Sequence, residues 1–184
     1  AIGQMMEKVV LPPFKPRRTE EEIRKECPWA TTGRFGGRKP NIITSLELRS
    51  EEMEIINLRI QEKYKKIEES EVRFEEYMLD DAEYAIVAFG SAARIAKKSI
   101  EIARSQGIKV GLLRPITLWP FPTKEVQKLG EKMKGILSLE INAGQMVEDI
   151  RLAVAGRVPV QHFGRLGGII PDPDEVVDAI KRLF

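Results

Sequence analysis

The sequence predicts an α/β fold of three layers, in which helices cover both faces of a mostly parallel five-stranded sheet. The first observation is that apolar runs of strand length alternate with segments of helical period from residue 72 onward. The second is that these runs lack the strict apolar/polar alternation of half-exposed strands, which is typical of strands covered on both faces. The third is that glycines end several of the intervening helices, as in strand–helix–strand units.

The clearest strand–helix–strand unit lies in the middle of the chain. An apolar run at 84–89 turns at Gly90-Ser91 into a pattern of helical period, and Gly107 separates that helix from a second apolar run at 108–113. The helix face that should meet the sheet consists of Ala92, Ile95, Ala96, Ser99, Ile102 and Ala103. Extending the pattern predicts four parallel strands, at 84–89, 108–113, 136–141 and 158–163.

Two helices of the second half of the chain have clear ends in the sequence. The helix after the third of these strands is predicted at 145–155, and Gly156 should stop it. The last helix is predicted to start at Asp172-Pro-Asp-Glu175, with Asp at the N-cap, Pro at the first helical position and Glu at the third.

Two further elements precede this unit. Val72, Phe74 and Tyr77 have the spacing of a short strand, which we place at an edge of the sheet. Before it, a long helix of about 51–69 is predicted, with Ser50 as its cap. Its apolar face would be formed by Met53, Ile56, Ile60, Tyr64 and Ile67. The chain therefore divides into an irregular arm at 1–49, a long helix at 50–71 and an α/β domain at 72–184.

The arm is rich in proline and glycine and shows little sustained periodicity. A short helix is predicted within it, capped by Thr19 with Glu22 at the third helical position. The segment Gly33-Arg-Phe-Gly-Gly37 has the glycines of a phosphate-binding loop, but it lacks the Lys-Ser/Thr ending and no apolar strand precedes it. We therefore predict a surface turn or a loop that contacts another subunit.

The composition excludes several classes of protein. Thirty basic side chains face 28 acidic ones, and the formal net charge of +2 gives no electrostatic footprint for nucleic acid. Cys27 is the only cysteine, so the chain forms no internal disulfide and cannot by itself hold a cluster through four thiolates. No run of about 18 apolar residues and no charged leader is present, which argues against a membrane span or secretion. We expect a cytoplasmic protein.

Gly90 and Ser91 stand where a strand ends and a helix begins, a position at which backbone N–H groups can receive an anion. Arg94 and Arg114 would add positive charge beside it. The spacing G-x-G-x-x-G is absent, and a serine at a helix start is also ordinary capping. We therefore keep these four residues as a candidate anion site, with a purely structural role as the alternative.

The segment 114–122 is not helical, because its three prolines remove backbone donors and hold the preceding residues extended. Trp119 and Phe121 are its aromatic side chains, and they need a surface to pack against. We predict a packing or interface loop, with ligand binding as the alternative. Thr123 is expected to cap the following helix.

No catalytic or metal-binding residue is predicted. Glu140 and Asn142 end the third parallel strand, and Glu148 and Asp149 follow on the next helix. A paired-carboxylate acid/base site would need one of these in a dry pocket with a shifted pKa, which nothing in the sequence shows, so we expect capping and subunit contacts instead. His162 is the only histidine, which excludes a multi-histidine metal site within this chain. Because it lies on an apolar strand, we expect it to be a core residue with its polar atoms satisfied.

Several segments carry a resemblance to a known family: AFGSAAR at 88–94, GLLRPITLWPFP at 111–122, EINAGQM and VEDIRLA at 140–153, GRLGG at 164–168 and PDPDE at 171–175. The chain resembles the last domain of the alpha subunit of 2-oxoacid:ferredoxin oxidoreductases, over nearly all of residues 28–180. Its detail is most similar to the branched-chain members, which act on 2-oxoisovalerate (3-methyl-2-oxobutanoate). The first seven residues lack an initiator Met and resemble the exit from that family's preceding domain, so we expect a piece of a longer subunit.

The resemblance implies a transketolase C-terminal type of fold, in which the strand near 72–77 would be the one antiparallel strand. It also implies a complex that uses thiamine diphosphate to decarboxylate a 2-oxoacid, passes electrons through iron–sulfur clusters to ferredoxin and transfers the acyl group to coenzyme A. In that family, the diphosphate and magnesium belong to the beta subunit and the clusters to a ferredoxin-like delta subunit. We therefore expect this chain to bind no cofactor itself, and to assemble and orient the enzyme together with beta, gamma and delta subunits.

Three alternatives remain open at this point. The first is a member of the same family that is specific for 2-oxoglutarate or pyruvate. The second is a subunit of a thiamine-dependent dehydrogenase that does not use ferredoxin. The third is a stand-alone domain that binds a nucleotide or another small molecule in the crevice at Gly90 and Ser91.

Overall fold

The structure, a computed structural model, describes residues 11–31 and 33–183. The expectation about the first seven residues therefore lies outside the described residues. Two units are distinguished, one of residues 11–60 and one of residues 61–183. The boundary between them falls within the long helix, and the division of the chain at residues 49 and 71 remains a prediction.

The unit of residues 11–60 contains the arm. Helix α1 (Glu20–Glu26) begins with the predicted capping box, in which Glu22 N donates to Thr19 Oγ1 and Thr19 N donates to Glu22 Oε2. A single 3₁₀ turn follows at Phe35–Gly37 and confirms that the glycine-rich segment forms a turn. The guanidinium of Arg38 donates to the carbonyl oxygens of Pro28, Ala30 and Gly33, which ties together a segment that has few backbone hydrogen bonds of its own.

Helix α2 (Ser50–Ser70) is the predicted long helix, and none of its residues is buried. Four of the five residues on its predicted apolar face are half-buried, and Tyr64 is exposed. The prediction that Ser50 caps this helix is wrong. Ser50 is the first helical residue, because the carbonyl of Arg49 already accepts the hydrogen bond from Met53 N.

The unit of residues 61–183 contains a five-stranded sheet in the order β1-β3-β2-β4-β5. Strands β2 to β5 are parallel to one another, and β1 pairs antiparallel with β3 at one edge, as predicted. β3 begins two residues later than predicted because Ile108 still belongs to the turn that closes the preceding helix, where its N–H donates to Ala103 O. The strands are β1 (Phe74–Tyr77), β2 (Tyr84–Ala88), β3 (Val110–Pro115), β4 (Gly135–Glu140) and β5 (Val160–Gly164).

Helices cover both faces of this sheet, which confirms the three-layer architecture. Side chains alternate along β2, so that Ile86 packs into one apolar cluster and Val87 into the other. The first cluster lies beneath α3 (Gly90–Ser105) and α6 (Pro173–Lys181), and the second beneath α4 (Thr123–Lys132) and α5 (Met146–Val154).

Three local predictions on these helices need correction. In α3, Ile100 is fully buried whereas Ile102 is only half-buried, so the buried stripe is rotated slightly from the predicted one. Thr123 is the first residue of α4, and the carbonyl of Pro122 accepts from Val126 N, so Thr123 does not cap that helix. α5 ends one residue early, with Ala155 in the left-handed conformation that we assigned to a glycine. The predicted start of α6 is confirmed by a capping box formed by Asp172 and Glu175.

Candidate functional site

The candidate residues lie along the edge of the sheet at which the parallel strands end. Gly90 follows β2, Arg114 is the penultimate residue of β3 and Glu140 is the last residue of β4. In open α/β sheets, ligands bind in crevices beyond this carboxyl edge. The predicted sites therefore share one edge of the molecule, although they form separate groups along it.

A cavity of about 340 Å³ lies beside the start of α3 and is lined by Gly90, Ala93, Arg94, Lys97 and Arg114. It brings together three of the four residues predicted as an anion site. Ser91 is not among the residues that line it. Lys97 was not predicted, although its position three residues after Arg94 on the same helix is a signal that could have identified it. Hereafter we call this space the cationic cavity.

Glu75 on β1 pairs with two of the cations that line the cationic cavity. Its carboxylate oxygens lie 2.5 Å from Lys97 Nζ and 2.8 Å from Arg114 Nη1. Hydrogen bonds from Lys97 and then Arg114 hold the pKa of Glu75 below its usual range. Arg114 Nε is buried and has no hydrogen-bond partner among the described residues. One carboxylate therefore serves two cations, and one of the guanidinium donors is unused.

The loop at residues 116–122, which we call the aromatic loop, lies beside a groove of about 720 Å³. Thr117 fixes it to the chain before β1, because its hydroxyl donates to Pro120 O and accepts from Arg73 N. Phe121 is half-buried against the cluster beneath α4 and α5. Trp119 is 54% exposed and meets Tyr64 edge-to-face at 5.3 Å between ring centroids. The two aromatic residues therefore differ, since only Phe121 packs into the core.

Glu140 is a fully buried carboxylate that caps α5. Its oxygens accept hydrogen bonds from the backbone N–H groups of residues 145, 146 and 147 and from the hydroxyl of Ser138, at 2.8–3.1 Å. Burial raises the pKa of Glu140, but the hydrogen bonds from these backbone groups and from Ser138 outweigh it and leave the pKa below its usual range. A carboxylate held ionised by four donors suits a cap and not a general acid.

His162 on β5 does not meet the expectation of a satisfied core residue. Its Nε2 is buried without a hydrogen-bond partner among the described residues, and it lies 3.9 Å from Glu140 Oε1, which is beyond hydrogen-bond distance. The reason is that Glu140 is already occupied by the start of α5. Asn142 accepts from Gly144 N at 2.7 Å, and Glu148 and Asp149 are exposed on α5.

The described residues contain no group of three or more His, Cys, Asp or Glu side chains placed to hold a metal ion. Among the helices that the structure describes, none has the length and apolar character needed to cross a membrane. Three features therefore lie at the carboxyl edge of the sheet among the described residues: the cationic cavity, an exposed aromatic residue beside a groove, and a buried carboxylate that caps a helix.

The mixed sheet with one antiparallel edge strand and helices on both faces defines an α/β domain of the transketolase C-terminal type. The family described as pyruvate:ferredoxin oxidoreductase core domain II matches residues 82–176, and the chain belongs to this family.

Curated relatives extend this similarity over almost the whole chain. The chain is 41% identical to ketoisovalerate oxidoreductase subunit VorB of Methanothermobacter thermautotrophicus and 42% identical to that of Methanothermobacter marburgensis, each over 99% of this chain. It is 31% identical to 2-oxoglutarate synthase subunit KorA of Methanothermobacter marburgensis over 56% of this chain. The chain spans about half the length of the two VorB subunits and 28% of this KorA subunit.

Two solved structures share the fold. The 2-oxoglutarate:ferredoxin oxidoreductase from Magnetococcus marinus superposes with a TM-score of 0.66 at 21% identity, over 84% of this chain and 28% of that chain. A split-gene transketolase in an inactive beta4 tetramer superposes with a TM-score of 0.53 at 14% identity, over 60% of this chain and 41% of that chain.

Proposed function

We propose that this chain is the C-terminal assembly domain of the alpha subunit of a thiamine diphosphate-dependent 2-oxoacid:ferredoxin oxidoreductase. The complete enzyme would convert a 2-oxoacid, CoA and oxidised ferredoxin into acyl-CoA, CO₂ and reduced ferredoxin. Beta, gamma and ferredoxin-like delta subunits would be its partners, and the complex would act in the cytoplasm. The chain's own task is to hold neighbouring parts of the complex together, because no described group of side chains suits the chemistry.

The observation that carries this proposal is the amount of exposed apolar surface on the arm and on α2. Helix α2 has 21 residues and none of them is buried, so contacts within the described chain contribute too little free energy to account for the stability of this helix. Exposed apolar patches of this kind mark protein–protein contacts. The large side chains concerned are Leu11, Phe14, Trp29, Ile42, Ile43, Leu46, Leu48, Ile55 and Leu58, each at least 60% exposed. We propose that the other domains and subunits of the oxidoreductase cover them.

The residues of this chain do not fit the cofactors of such an enzyme. A four-thiolate cluster requires more than the single thiol of Cys27. No segment of the sequence has a diphosphate-and-magnesium motif, and the cationic cavity has no carboxylate in its lining to bind a metal ion. Thiamine diphosphate, magnesium and iron–sulfur clusters therefore belong to other parts of the complex in this proposal.

We further propose a branched-chain 2-oxoacid as the substrate. Support comes from the two ketoisovalerate oxidoreductase subunits, which are 41% and 42% identical to the chain, whereas the 2-oxoglutarate synthase subunits are 29–31% identical. The test is 2-oxoacid- and CoA-dependent reduction of a viologen by the complete complex. Activity with 2-oxoisovalerate should exceed activity with 2-oxoglutarate and with pyruvate, and the reverse order would contradict this part of the proposal.

The assembly role is tested in the full-length subunit expressed with its partners. Ile42 and Leu48, which are 92% and 84% exposed, would both be replaced by Asn, and Leu152, which is 81% exposed on α5, would be replaced by Asn as the matched control. The arm variant should weaken the assembly at least tenfold, because it removes apolar contact area. The control should leave the assembly unchanged. Unaltered assembly of the arm variant, measured by sedimentation, would contradict the proposal.

A further inference from the structure

We infer that the cationic cavity binds the phosphate group of a small molecule, at a site separate from the surfaces assigned to assembly. The cavity lies between α3 and the end of β3, and three cationic side chains from these two elements line it. The inference does not depend on the oxidoreductase assignment, because it concerns binding to this chain alone.

The first argument is charge. Lys97 and Arg114 share the single carboxylate of Glu75, so one of the two positive charges has no opposite charge from this pairing. The side chains of Lys97 and Arg114 are 36% and 39% exposed, which leaves their charges partly shielded from solvent screening. A bound anion would supply the second negative charge for Lys97 and Arg114, and Arg94 adds a further guanidinium to the lining.

The second argument is the set of available donors. Arg114 binds Glu75 through Nη1, and its guanidinium lines the cavity with a side chain that is 39% exposed, so it retains N–H donors for an oxyanion. Gly90, the first residue of α3, also lines the cavity, and the side chain of its N-cap residue Phe89 makes no capping hydrogen bond. Donors from two elements suit the several oxygens of a phosphate better than the two of a carboxylate.

The third argument is size and shape. A volume of about 340 Å³ is at the lower end of the range found for small-molecule sites. The small residues Gly90 and Ala93 keep the cavity open at the helix, and a Cβ added at Gly90 would meet no atom within 4 Å. The space admits a phosphate together with a small organic group. The alternative is that these ion pairs serve only to join β1, β3 and α3. The test must distinguish phosphate binding from that purely structural role.

The test is a titration of the 184-residue chain with inorganic phosphate in a phosphate-free buffer, followed by ¹H–¹⁵N correlation spectra. We expect saturable shifts of the amides at 90–94 and 97, which weaken as the ionic strength is raised. Acetate is the comparison ligand at equal ionic strength. Equal affinity for acetate and phosphate would overturn the assignment of a phosphate group, and shifts confined to other surfaces would overturn the site.

Three variants connect the binding to the cavity. Lys97→Met should weaken phosphate binding about tenfold, since it removes a charge-assisted hydrogen bond. Lys98→Met is the matched control, because Lys98 is the next residue on α3 but is exposed and paired with Glu101. It should leave the affinity unchanged. Glu75→Gln should tighten binding, because it releases Lys97 and Arg114 from the competing carboxylate.

These variants give opposite results under the structural alternative. If the ion pairs only stabilise the fold, Lys97→Met and Glu75→Gln would both lower the free energy of unfolding and neither would alter phosphate binding. If Lys97→Met fails to fold, Glu75→Gln still decides the matter. Weaker or unchanged phosphate binding in folded Glu75→Gln would overturn the inference.

Discussion

Glu140 is the single residue on which the start of α5 depends. Replacing it by Gln keeps the size of the side chain but substitutes an NH₂ group for one of two acceptor oxygens, opposite backbone donors that remain buried. We expect Glu140→Gln to lower the free energy of unfolding by about 2–3 kcal/mol, since hydrogen bonds to a buried charged group are lost. Denaturant unfolding followed by circular dichroism measures this loss.

The matched control is Glu148→Gln, which makes the same chemical change on an exposed residue in the first turn of the same helix. It should alter the free energy of unfolding by no more than about 0.5 kcal/mol. Equal effects of the two substitutions would show that helix-terminal charge, and not the buried hydrogen bonds of Glu140, accounts for the difference.

The stabilisation by Glu140 should depend on pH in a defined direction. Because the folded pKa of Glu140 lies below the usual value of 4.5, its contribution is fully present above that value and is lost as the pH falls through the folded pKa. The difference in unfolding free energy between the wild type and Glu140→Gln should therefore be constant near neutrality and shrink in acid. A difference that grows as the pH falls would contradict the assignment.

At the scale of elements, the turn between β1 and β2 is packed directly against β3. Arg104 of α3 holds this turn by donating to Met78 O and to the carboxylate of Asp81. Gly111 on β3 makes the close approach possible, because a Cβ at this position would lie 2.4 Å from Met78 O. The contact is between backbone atoms, so a larger residue cannot be accommodated by a side-chain rotation.

Gly111→Ala should therefore lower the free energy of unfolding by about 3 kcal/mol or more, because it forces the turn and the strand apart. Gly107→Ala provides the comparison. There a Cβ would meet no atom within 4 Å, but the backbone has a φ of +83°. Strain alone should make that substitution destabilising by about 1–2 kcal/mol. Thermal and denaturant unfolding would rank the two, and a larger effect at Gly107 would contradict this account of the packing.

The elements themselves were predictable because each depends on neighbouring residues. Apolar runs identified four strands, and the sequence Asp172-Pro-Asp-Glu175 identified the start of α6. The cationic cavity was harder to predict from the sequence. Glu75 lies 22 residues from Lys97 and 39 from Arg114. The antiparallel pairing of β1 with β3 places Glu75 opposite Arg114, and the packing of α3 against β3 adds Lys97. The unsatisfied Nε2 of His162 likewise follows from the occupancy of Glu140, a residue on another strand.

At the scale of the whole molecule, the aromatic loop carries three large apolar side chains that are 48–54% exposed, namely Ile116, Leu118 and Trp119, of which Trp119 is the largest. Trp119→Ala should have little effect on folding, because the ring is 54% exposed and its described aromatic contact is with Tyr64. In the complete complex it should weaken assembly by about 2 kcal/mol or more, which is typical of a buried aromatic anchor. The kcat per assembled complex should stay nearly unchanged.

Leu152→Ala serves as the control for this substitution, since Leu152 is 81% exposed on α5 and is assigned to no contact. Assembly is measured by sedimentation and activity by viologen reduction. A Trp119→Ala complex that assembles normally but has a hundredfold lower kcat would place the aromatic loop in the active site and contradict its assignment as an interface.

The direction of the parallel strands gives the domain two chemically different ends. Each helix that follows a parallel strand starts at the carboxyl edge and returns to the other. Leu183, just after α6, accordingly lies beside Gly135 at the start of β4, where a Cβ added to the glycine would be 3.3 Å from the Cβ of Leu183. Strands of five or six residues separate the two edges by about 17–20 Å. A fluorescent dye or surface tether attached at Lys181, which is exposed near the end of α6, would therefore sit far from the cationic cavity and the aromatic loop, so both could be studied on an immobilised molecule.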